Sequence, residues 1–280
     1  MKRSVCYVIS FILALCLAIV PLAANAAVWG DVTGEGQITT SDARLALRAA
    51  IGLERYAPGS AQFAGADIIA DGKITTDDAR LILRIAVGLE PKENQYDILR
   101  SGAFYMEGRT DGENGAPMKM AVNKDLVYME MNSGDMELGY LVKNKSIYLL
   151  NPAEKTYHKL NAIETATMKG FGLMDEKEIR AEIAEFGFDS MPSLNTADSV
   201  SGGKLNGMPC AVYTYRLSDG GRTEIYMYGY RLLAMNSVSA DGKTASMMTF
   251  TNVSGAVPTY PPAGYKSVTL IKLVEGLAGE

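Results

Sequence analysis

A tandem repeat near the N-terminus constrains the fold more than any other feature of the sequence. Residues 36–54 read GQITTSDARLALRAAIGLE, and residues 72–90 read GKITTDDARLILRIAVGLE, with identical residues at most positions. A match this close at an offset of 36 residues indicates a duplicated structural unit. Together the two copies define a region of about 60 residues, from Gly30 to Glu90.

Each copy begins with a loop that has the pattern of an EF-type calcium site. Such a loop takes oxygen ligands from positions 1, 3, 5, 9 and 12 and a carbonyl from position 7, with glycine at position 6. The first copy places at positions 1, 3, 5, 6, 7, 9 and 12 the residues Asp31, Thr33, Glu35, Gly36, Gln37, Thr39 and Asp42. The second copy places there Asp67, Ile69, Asp71, Gly72, Lys73, Thr75 and Asp78.

The two loops are not equivalent as cation sites. Ile69 supplies no oxygen at position 3, so the second loop is predicted to recruit water or to bind calcium more weakly. An acidic turn that only caps a helix would also use aspartate at these positions. Two loops in tandem, each with glycine at position 6 and aspartate at position 12, favour calcium. After position 12, apolar residues and arginines predict a helix that ends at Gly52 in the first copy.

Two calcium loop-helix units without a leading helix resemble a type I dockerin domain, here at residues 27–90. The resemblance implies two calcium ions, held by the loop positions given above, with Lys73 contributing its carbonyl. It also implies binding to a cohesin module of a scaffoldin or surface protein, in two orientations that are unequal because the copies differ. The implied cohesin contacts are Thr40, Ser41, Arg44, Leu45 and Arg48, and in the second copy Thr76, Asp77, Arg80, Leu81 and Arg84.

The first 26 residues have the composition of a secretory signal peptide. Lys2 and Arg3 precede an apolar run, and Ala24-Asn25-Ala26 provides small residues for cleavage. A retained membrane anchor or a lipoprotein leader fits less well, because the run is short and is broken by Pro21. The mature protein is therefore expected to be secreted and extracellular or attached to the cell surface, and not to span a membrane.

Removal of this leader would take two of the 27 basic residues and leave all 32 acidic ones, so the mature net charge is about −7. A chain this acidic has no basic surface of the kind that binds nucleic acid. Cys210 would be the remaining cysteine, so an internal disulfide is excluded and stability must come from burial, metal or partners.

After a polar linker at residues 91–97, the sequence changes to short runs of alternating character, which predict a β-rich module over residues 98–280. About ten antiparallel strands are expected, with one amphipathic helix over Met174 to Gly187. The fold class is therefore α+β: a small helical domain followed by a curved antiparallel sheet or half-barrel with an inserted helix.

The rhythm of these strands resembles the periplasmic lipoprotein-carrier (LolA/LolB-like) superfamily, through segments such as NKDLVYMEM, KSIYLLNPAEKTYHKL and NGMPCAVYTYRL. In that family an incomplete barrel holds acyl chains in an apolar cavity. All methionines except Met1 lie beyond residue 100, and a methionine-rich face suits variable apolar ligands, although ordinary core filling explains it too. Tyr226, Tyr228 and Tyr230 are either a sugar-stacking platform or a half-buried tyrosine ladder.

Residues for catalysis are sparse in this module. His158 is the single histidine and Cys210 has no nucleophile motif around it, so a triad or a histidine-based zinc site is not expected. Glycoside hydrolysis needs two carboxylates that flank one bond, and Glu130 and Glu137 are the strongest candidates. The sequence favours a non-catalytic protein that binds an apolar or glycan-derived ligand. The alternative is a cellulosome-associated enzyme that degrades polysaccharides.

Overall fold

The structure is a computed structural model that describes residues 29–110, 115–133, 136–170, 177–178, 180 and 191–278. The predicted signal peptide and most of the predicted helix at residues 174–187 lie outside the described residues. The helices are α1 (Thr40–Ala50), α2 (Ala61–Ala66), α3 (Thr76–Ala86), α4 (Gln95–Arg100), α5 (Ala162–Gly170) and α6 (Leu270–Ala278). No helix in these ranges is long and apolar enough to cross a membrane.

The strands form one open, curved sheet. They are β1 (Phe104–Thr110), β2 (Pro117–Asn123), β3 (Leu126–Ser133), β4 (Met136–Lys143), β5 (Ser146–Asn151), β6 (Thr156–Lys159), β7 (Ser199–Leu205), β8 (Met208–Arg216), β9 (Arg222–Tyr228), β10 (Arg231–Val238), β11 (Thr244–Ser254) and β12 (Lys266–Ser267). Their order across the sheet is β12-β6-β5-β4-β3-β2-β1-β11-β10-β9-β8-β7. The pairs are antiparallel except for β12 with β6, which makes the sheet mixed.

One face of the sheet, called here the helical face, packs against α4 and α6. Alternating residues of the strands point to this face because side chains alternate along a strand. Tyr96 and Leu99 of α4 and Leu273 of α6 are buried there among residues such as Met106 and Met120. The predicted methionine-rich face therefore exists, and its described members are packed in the core.

The opposite face carries two separate covers. The loop-helix pair, residues 30–90, packs on β8, β9 and β10, where Leu81, Ile82 and Ile85 share a buried cluster with Cys210, Tyr228 and Leu233. Residues 255–265 cover β2 to β5, and Tyr260 of this segment lies against Tyr128 with ring centroids 4.2 Å apart. The loop-helix pair is therefore continuous with the sheet through a shared hydrophobic core.

Helices α1 and α3 pack against each other, as expected for a duplicated unit. Each begins with a capping box, in which a threonine (Thr39 or Thr75) caps the helix and an aspartate (Asp42 or Asp78) bonds back to it. Gly36 and Gly72 both have a φ near +82°, the left-handed conformation that favours glycine at the sharp turn. The two copies thus fold alike, as the repeat predicts.

Two parts of the sequence interpretation need correction. Residues 95–97 of the predicted linker belong to α4, whose Gln95 and Tyr96 are buried, and Gln95 bonds to the backbone of both Val253 and Leu232. The segment VTLIKLV, residues 268–274, alternates in character as a strand does, but it lies mostly in α6 and follows the two-residue strand β12. Its apolar residues also fit the period of a helix, and a short apolar run does not distinguish a helix from a strand.

Candidate docking and cation sites

The first loop is organised around two carboxylates. Asp31 accepts hydrogen bonds from the backbone N–H of Gly34 at 2.7 Å and of Gly36 at 2.6 Å. Asp42 accepts one from Thr33 N–H at 2.9 Å and one from Thr39 N–H at 2.8 Å. Although burial acts in the opposite direction, these N–H groups hold the pKa of Asp42 below its usual value.

The second loop repeats this hydrogen-bond pattern 36 residues later. Asp67 accepts from Gly72 N–H at 2.9 Å, and Asp78 accepts from Ile69 N–H at 3.0 Å and from Thr75 N–H at 2.8 Å. Burial, followed by the charge of Asp78, raises the pKa of Asp67 to about 6. Burial also raises the pKa of Asp78. The pKa of both carboxylates in the second loop is thus raised, whereas that of Asp42 in the first loop is lowered.

These residues fit a hard cation. A carboxylate oxygen has two lone-pair directions, and each of the four aspartates has an oxygen that accepts a single hydrogen bond and so keeps acceptor capacity for a metal ion. A divalent cation would also offset the unfavourable burial of Asp67 beside Asp78. Among the described residues, no group of three or more His, Cys, Asp and Glu side chains is gathered as a metal site. Each loop brings two carboxylates together, and the complete ligand sets remain a prediction.

The remaining predicted ligands lie at the rim of the loops. Thr33, Glu35 and Gln37 in the first loop, and Asp71 and Lys73 in the second, are exposed. Thr39 donates to Asp42 at 2.9 Å and also reaches Glu35 at 3.3 Å. Thr75 donates to Asp78 at 2.8 Å. Thr33, Thr39, Asp71 and Thr75 make hydrogen bonds within the loops, so a cation would have to replace some of these bonds.

Ile69 illustrates why the second loop differs from the first. Thr33 is exposed at the matching position, whereas Ile69 is buried in the cluster that the loop-helix pair shares with the sheet. Close by, a side chain at Gly202 of β7 would overlap Asp71, because an added Cβ would lie 2.6 Å from the Asp71 Cβ. At this position the second loop therefore packs against the sheet, whereas the first loop has an exposed hydroxyl group.

A groove of about 370 Å³ runs between α1 and α3 on the surface away from the sheet. Eight residues line it, and they form four pairs related by the repeat: Thr40 with Thr76, Ala43 with Ala79, Arg44 with Arg80, and Leu47 with Leu83. Leu47 and Leu83 are each 44% exposed. The next repeat-related pairs, Ile51 with Val87 and Leu53 with Leu89, are exposed as well. The two copies thus present exposed apolar residues at corresponding positions of the helices and just beyond their ends.

The predicted cohesin contacts agree with this groove in part. Thr40, Arg44, Thr76 and Arg80 line it, Ser41 and Arg48 are exposed near it, and Asp77 forms an ion pair with Arg80. Leu81 is the exception, because it is fully buried against the sheet and does not reach a partner. Its copy Leu45 is half-buried in the same cluster. Arg84 faces Glu90 at the junction with the sheet.

Leu47 and Leu83 were missed as contact residues, although the sequence contains a signal for them. Thr40, Arg44 and Leu47 are spaced i, i+4, i+7, which places them on one face of a helix. The same spacing holds for Thr76, Arg80 and Leu83. A leucine on a face that otherwise carries threonine and arginine indicates an exposed apolar contact.

The two candidate catalytic acids are close together on the opposite face of the sheet. Glu130 is buried, binds Lys119 Nζ at 2.5 Å and accepts a hydrogen bond from Tyr128. Burial, then the charge of Glu130 and a hydrogen bond to it, raise the pKa of Glu137. Carboxylates in direct contact leave no space for a glycosidic bond between them, which needs a separation of roughly 5 Å or more. The arrangement is that of a structural hydrogen-bond network.

The other residues considered for chemistry have structural partners. The His158 ring forms two hydrogen bonds, one from Nδ1 to the backbone oxygen of Val268 at 2.8 Å and one from Nε2 to the carboxylate of Glu164 at 3.0 Å. Cys210 is buried. Tyr228 is buried under the loop-helix pair, and Tyr230 donates to the carbonyl of Trp29 at 2.7 Å. This supports the tyrosine ladder over an exposed stacking platform.

Comparisons with known proteins give limited information. No family model and no curated protein matches the chain. An uncharacterized conserved protein from Thermus thermophilus is 10% identical, with a TM-score of 0.32 over 62% of this chain and 96% of that chain. MucB is 9% identical with a TM-score of 0.34, over 60% of this chain and 58% of MucB. The Pseudomonas aeruginosa MucA/MucB complex gives 10% identity and a TM-score of 0.31, over 60% of this chain and 56% of that one.

The chain thus spans less than two thirds of MucB. TM-scores this low carry no conclusion about activity or partners, so function has to be argued from the residues themselves.

Proposed function

We propose that the loop-helix pair is a calcium-organised docking module of the dockerin type, which attaches a secreted protein to a cohesin on a cellulosome or cell-surface scaffold. Two loops with one shared hydrogen-bond pattern, each rich in carboxylates, support the calcium part of this proposal. Export is supported by the sequence of residues 1–26.

The groove between α1 and α3 is the observation that carries the docking proposal. Exposed leucines cost hydration free energy unless a partner covers them, and here Leu47 and Leu83 are equally exposed in a groove framed by arginines. Repetition of the same residues on both helices means that a partner meets an equivalent surface in each copy.

For the β-rich module we propose binding of an apolar or glycan-derived ligand, without catalysis. The resemblance of the strand pattern to lipoprotein carriers supports an apolar ligand, which would have to separate core residues of the helical face such as Met106, Met118 and Met120, because these are buried in the structure. Methionine side chains adapt to ligands of different shape. The alternative, a polysaccharide-degrading enzyme, would require a pair of carboxylates other than Glu130 and Glu137.

A pull-down with a panel of cohesin modules tests the docking proposal. The mature full-length chain is expected to be retained in calcium and released in chelator. The double variant Leu47→Asp, Leu83→Asp is expected to weaken binding at least about tenfold, because it places charge at the centre of the apolar contact.

The control is Ile163→Asp, which replaces an exposed apolar residue of α5, outside the groove, by aspartate. This variant should bind like the parent chain. Retention that persists in chelator, or equal loss in the control, would contradict the docking proposal. Native mass spectrometry of the full-length chain from its source would reveal a lipid or glycan ligand of the β-rich module.

A further inference from the structure

A cleft of about 450 Å³ lies at the junction between the loop-helix pair and the sheet. Three arginines come together there: Arg80 and Arg84 from α3, and Arg231 from the start of β10. The other lining residues are Glu90, Met208, Pro209 and Tyr228. The cleft therefore combines a cationic side with a wall that is largely apolar.

Glu90 holds two of the arginines in place. Its Oε1 contacts Nη2 of Arg84 at 2.8 Å, and its Oε2 contacts Nη2 of Arg231 at 2.6 Å. The Glu90 side chain is only 4% exposed, so both of its oxygens face guanidinium groups and little of its charge reaches the cleft surface. Arg80 pairs with Asp77 at 3.0 Å, but both side chains are well exposed and such pairs are weak.

The lining residues leave an excess of positive charge. Three guanidinium groups line the cleft with one carboxylate, and a surplus of one positive charge remains when the exposed Asp77 beside Arg80 is counted, in a chain whose overall net charge is −5. Each guanidinium has five N–H donors in a planar fork that matches the oxygens of phosphate, sulfate or carboxylate. Because Glu90 fixes two of these forks, less ordering is needed when an anion binds.

The repeat offers an internal comparison for this cleft. Arg48 and Glu54 are the first-copy counterparts of Arg84 and Glu90, and they form the same ion pair at 3.0 Å. That pair is exposed at 46% and 37%, whereas in the second copy Arg231 of the sheet joins the pair and Glu90 is buried. The cleft therefore forms only where the sheet adds Arg231 to the second copy, and the repeated sequence alone would not produce it.

We propose that this cleft binds an oxyanion group of the phosphate or sulfate type, carried by a molecule with a small apolar part. The oxygens contact the guanidinium groups of Arg80, Arg84 and Arg231. The apolar part lies on Met208, Pro209 and Tyr228. This site is separate from the docking groove, although Arg80 borders both.

Isothermal titration of the mature full-length chain tests the proposal. Inorganic phosphate, inorganic sulfate and phenyl phosphate are titrated at constant ionic strength, with sodium chloride as the blank. Saturable binding of one anion per chain is expected, and phenyl phosphate should bind more tightly than inorganic phosphate because its ring covers the apolar wall. Binding of phenyl phosphate alone would show that the site takes organic esters. Equal affinity for phenyl phosphate and inorganic phosphate would contradict the proposed contact between the ring and the apolar wall.

Two variants locate the site. Arg231→Gln and Arg80→Gln should each weaken anion binding at least about tenfold, since a hydrogen bond to a charged group is lost. Arg48→Gln, which changes the first-copy counterpart of Arg84, should bind the anion like the parent chain. Circular dichroism would detect whether Arg231→Gln perturbs folding. Arg80 does not contact Glu90, so Arg80→Gln tests anion binding by the cleft even if Arg231→Gln does perturb folding. Absence of saturable binding, or equal weakening in Arg48→Gln, would overturn the proposal.

Discussion

At the scale of single residues, corresponding positions of the repeat have taken different roles. Thr33 and Ile69 occupy the same loop position, yet one is an exposed potential ligand and the other is buried against the sheet. Calcium affinity in loops of this type depends on the number and charge of oxygen ligands. The first loop should therefore bind calcium more tightly than the second.

The substitution Thr33→Ile gives the first loop the residue of the second. We expect it to lower calcium affinity of the first loop by about tenfold, because one oxygen ligand is removed. Folding should be little affected, since position 33 is exposed. Calcium titration by calorimetry measures the effect, and Gln37→Ala, which keeps its ligand carbonyl, serves as control. Unchanged affinity in Thr33→Ile would show that position 33 does not contact the ion.

At the scale of elements, α1 and α3 have nearly the same sequence and different surroundings. Leu45 on α1 is half-buried, whereas Leu81 at the matching position of α3 is completely buried beside the turn between β9 and β10. An added Cβ at Gly229 in that turn, where φ is +57°, would lie 3.1 Å from Leu81. The sheet is thus fitted closely to one helix of the pair.

Truncation of these two leucines should separate their roles. Leu81→Ala is expected to lower the free energy of unfolding by about 2–5 kcal/mol, the usual cost of a cavity at a fully buried leucine. Leu45→Ala, the matched change on α1, should cost clearly less. Urea denaturation of both variants measures the difference. Equal costs would mean that α3 does not pack on the sheet as described.

The elements show how far sequence reasoning reaches. Alternation predicted β1 to β6 and β8 to β11, because half-buried strands carry apolar residues at every second position. It missed β7, whose residues SVSGGKL lie at the sheet edge and are mostly exposed, so they carry no apolar signal. The loops and the helices of the repeat were predicted, but the burial of Leu81 was not. The sequence nevertheless contains a signal for it, because α3 has Ile82 and Ile85 where α1 has Ala46 and Ala49, and both isoleucines are buried in the cluster shared with the sheet.

At the scale of the whole molecule, the loop-helix pair and the sheet behave as one packed body. Trp29, the single tryptophan, stacks on Tyr213 of β8 with ring centroids 5.7 Å apart, and contacts the core clusters on both faces. Gln95 and Tyr230 add hydrogen bonds across the same junction. The arginine cleft and the second loop both lie where the loop-helix pair meets the sheet.

A shared core predicts a single unfolding transition. Tryptophan fluorescence, which reports on the junction at Trp29, and far-ultraviolet circular dichroism, which reports on the whole sheet, should give the same urea midpoint. Calcium should raise the urea concentration of both midpoints by the same amount, because a ligand that binds the native state stabilises the whole unit that unfolds cooperatively. Fluorescence that changes well before circular dichroism would indicate two independent domains.

The burial of α3 against β8 to β10 also has a mechanical consequence. When the groove between α1 and α3 is held by a scaffold, tension on the protein passes through packed side chains directly into the sheet, without a flexible tether to absorb it. The sheet is then displayed at a fixed angle to its anchor, and its helical face has a constant orientation toward the surroundings.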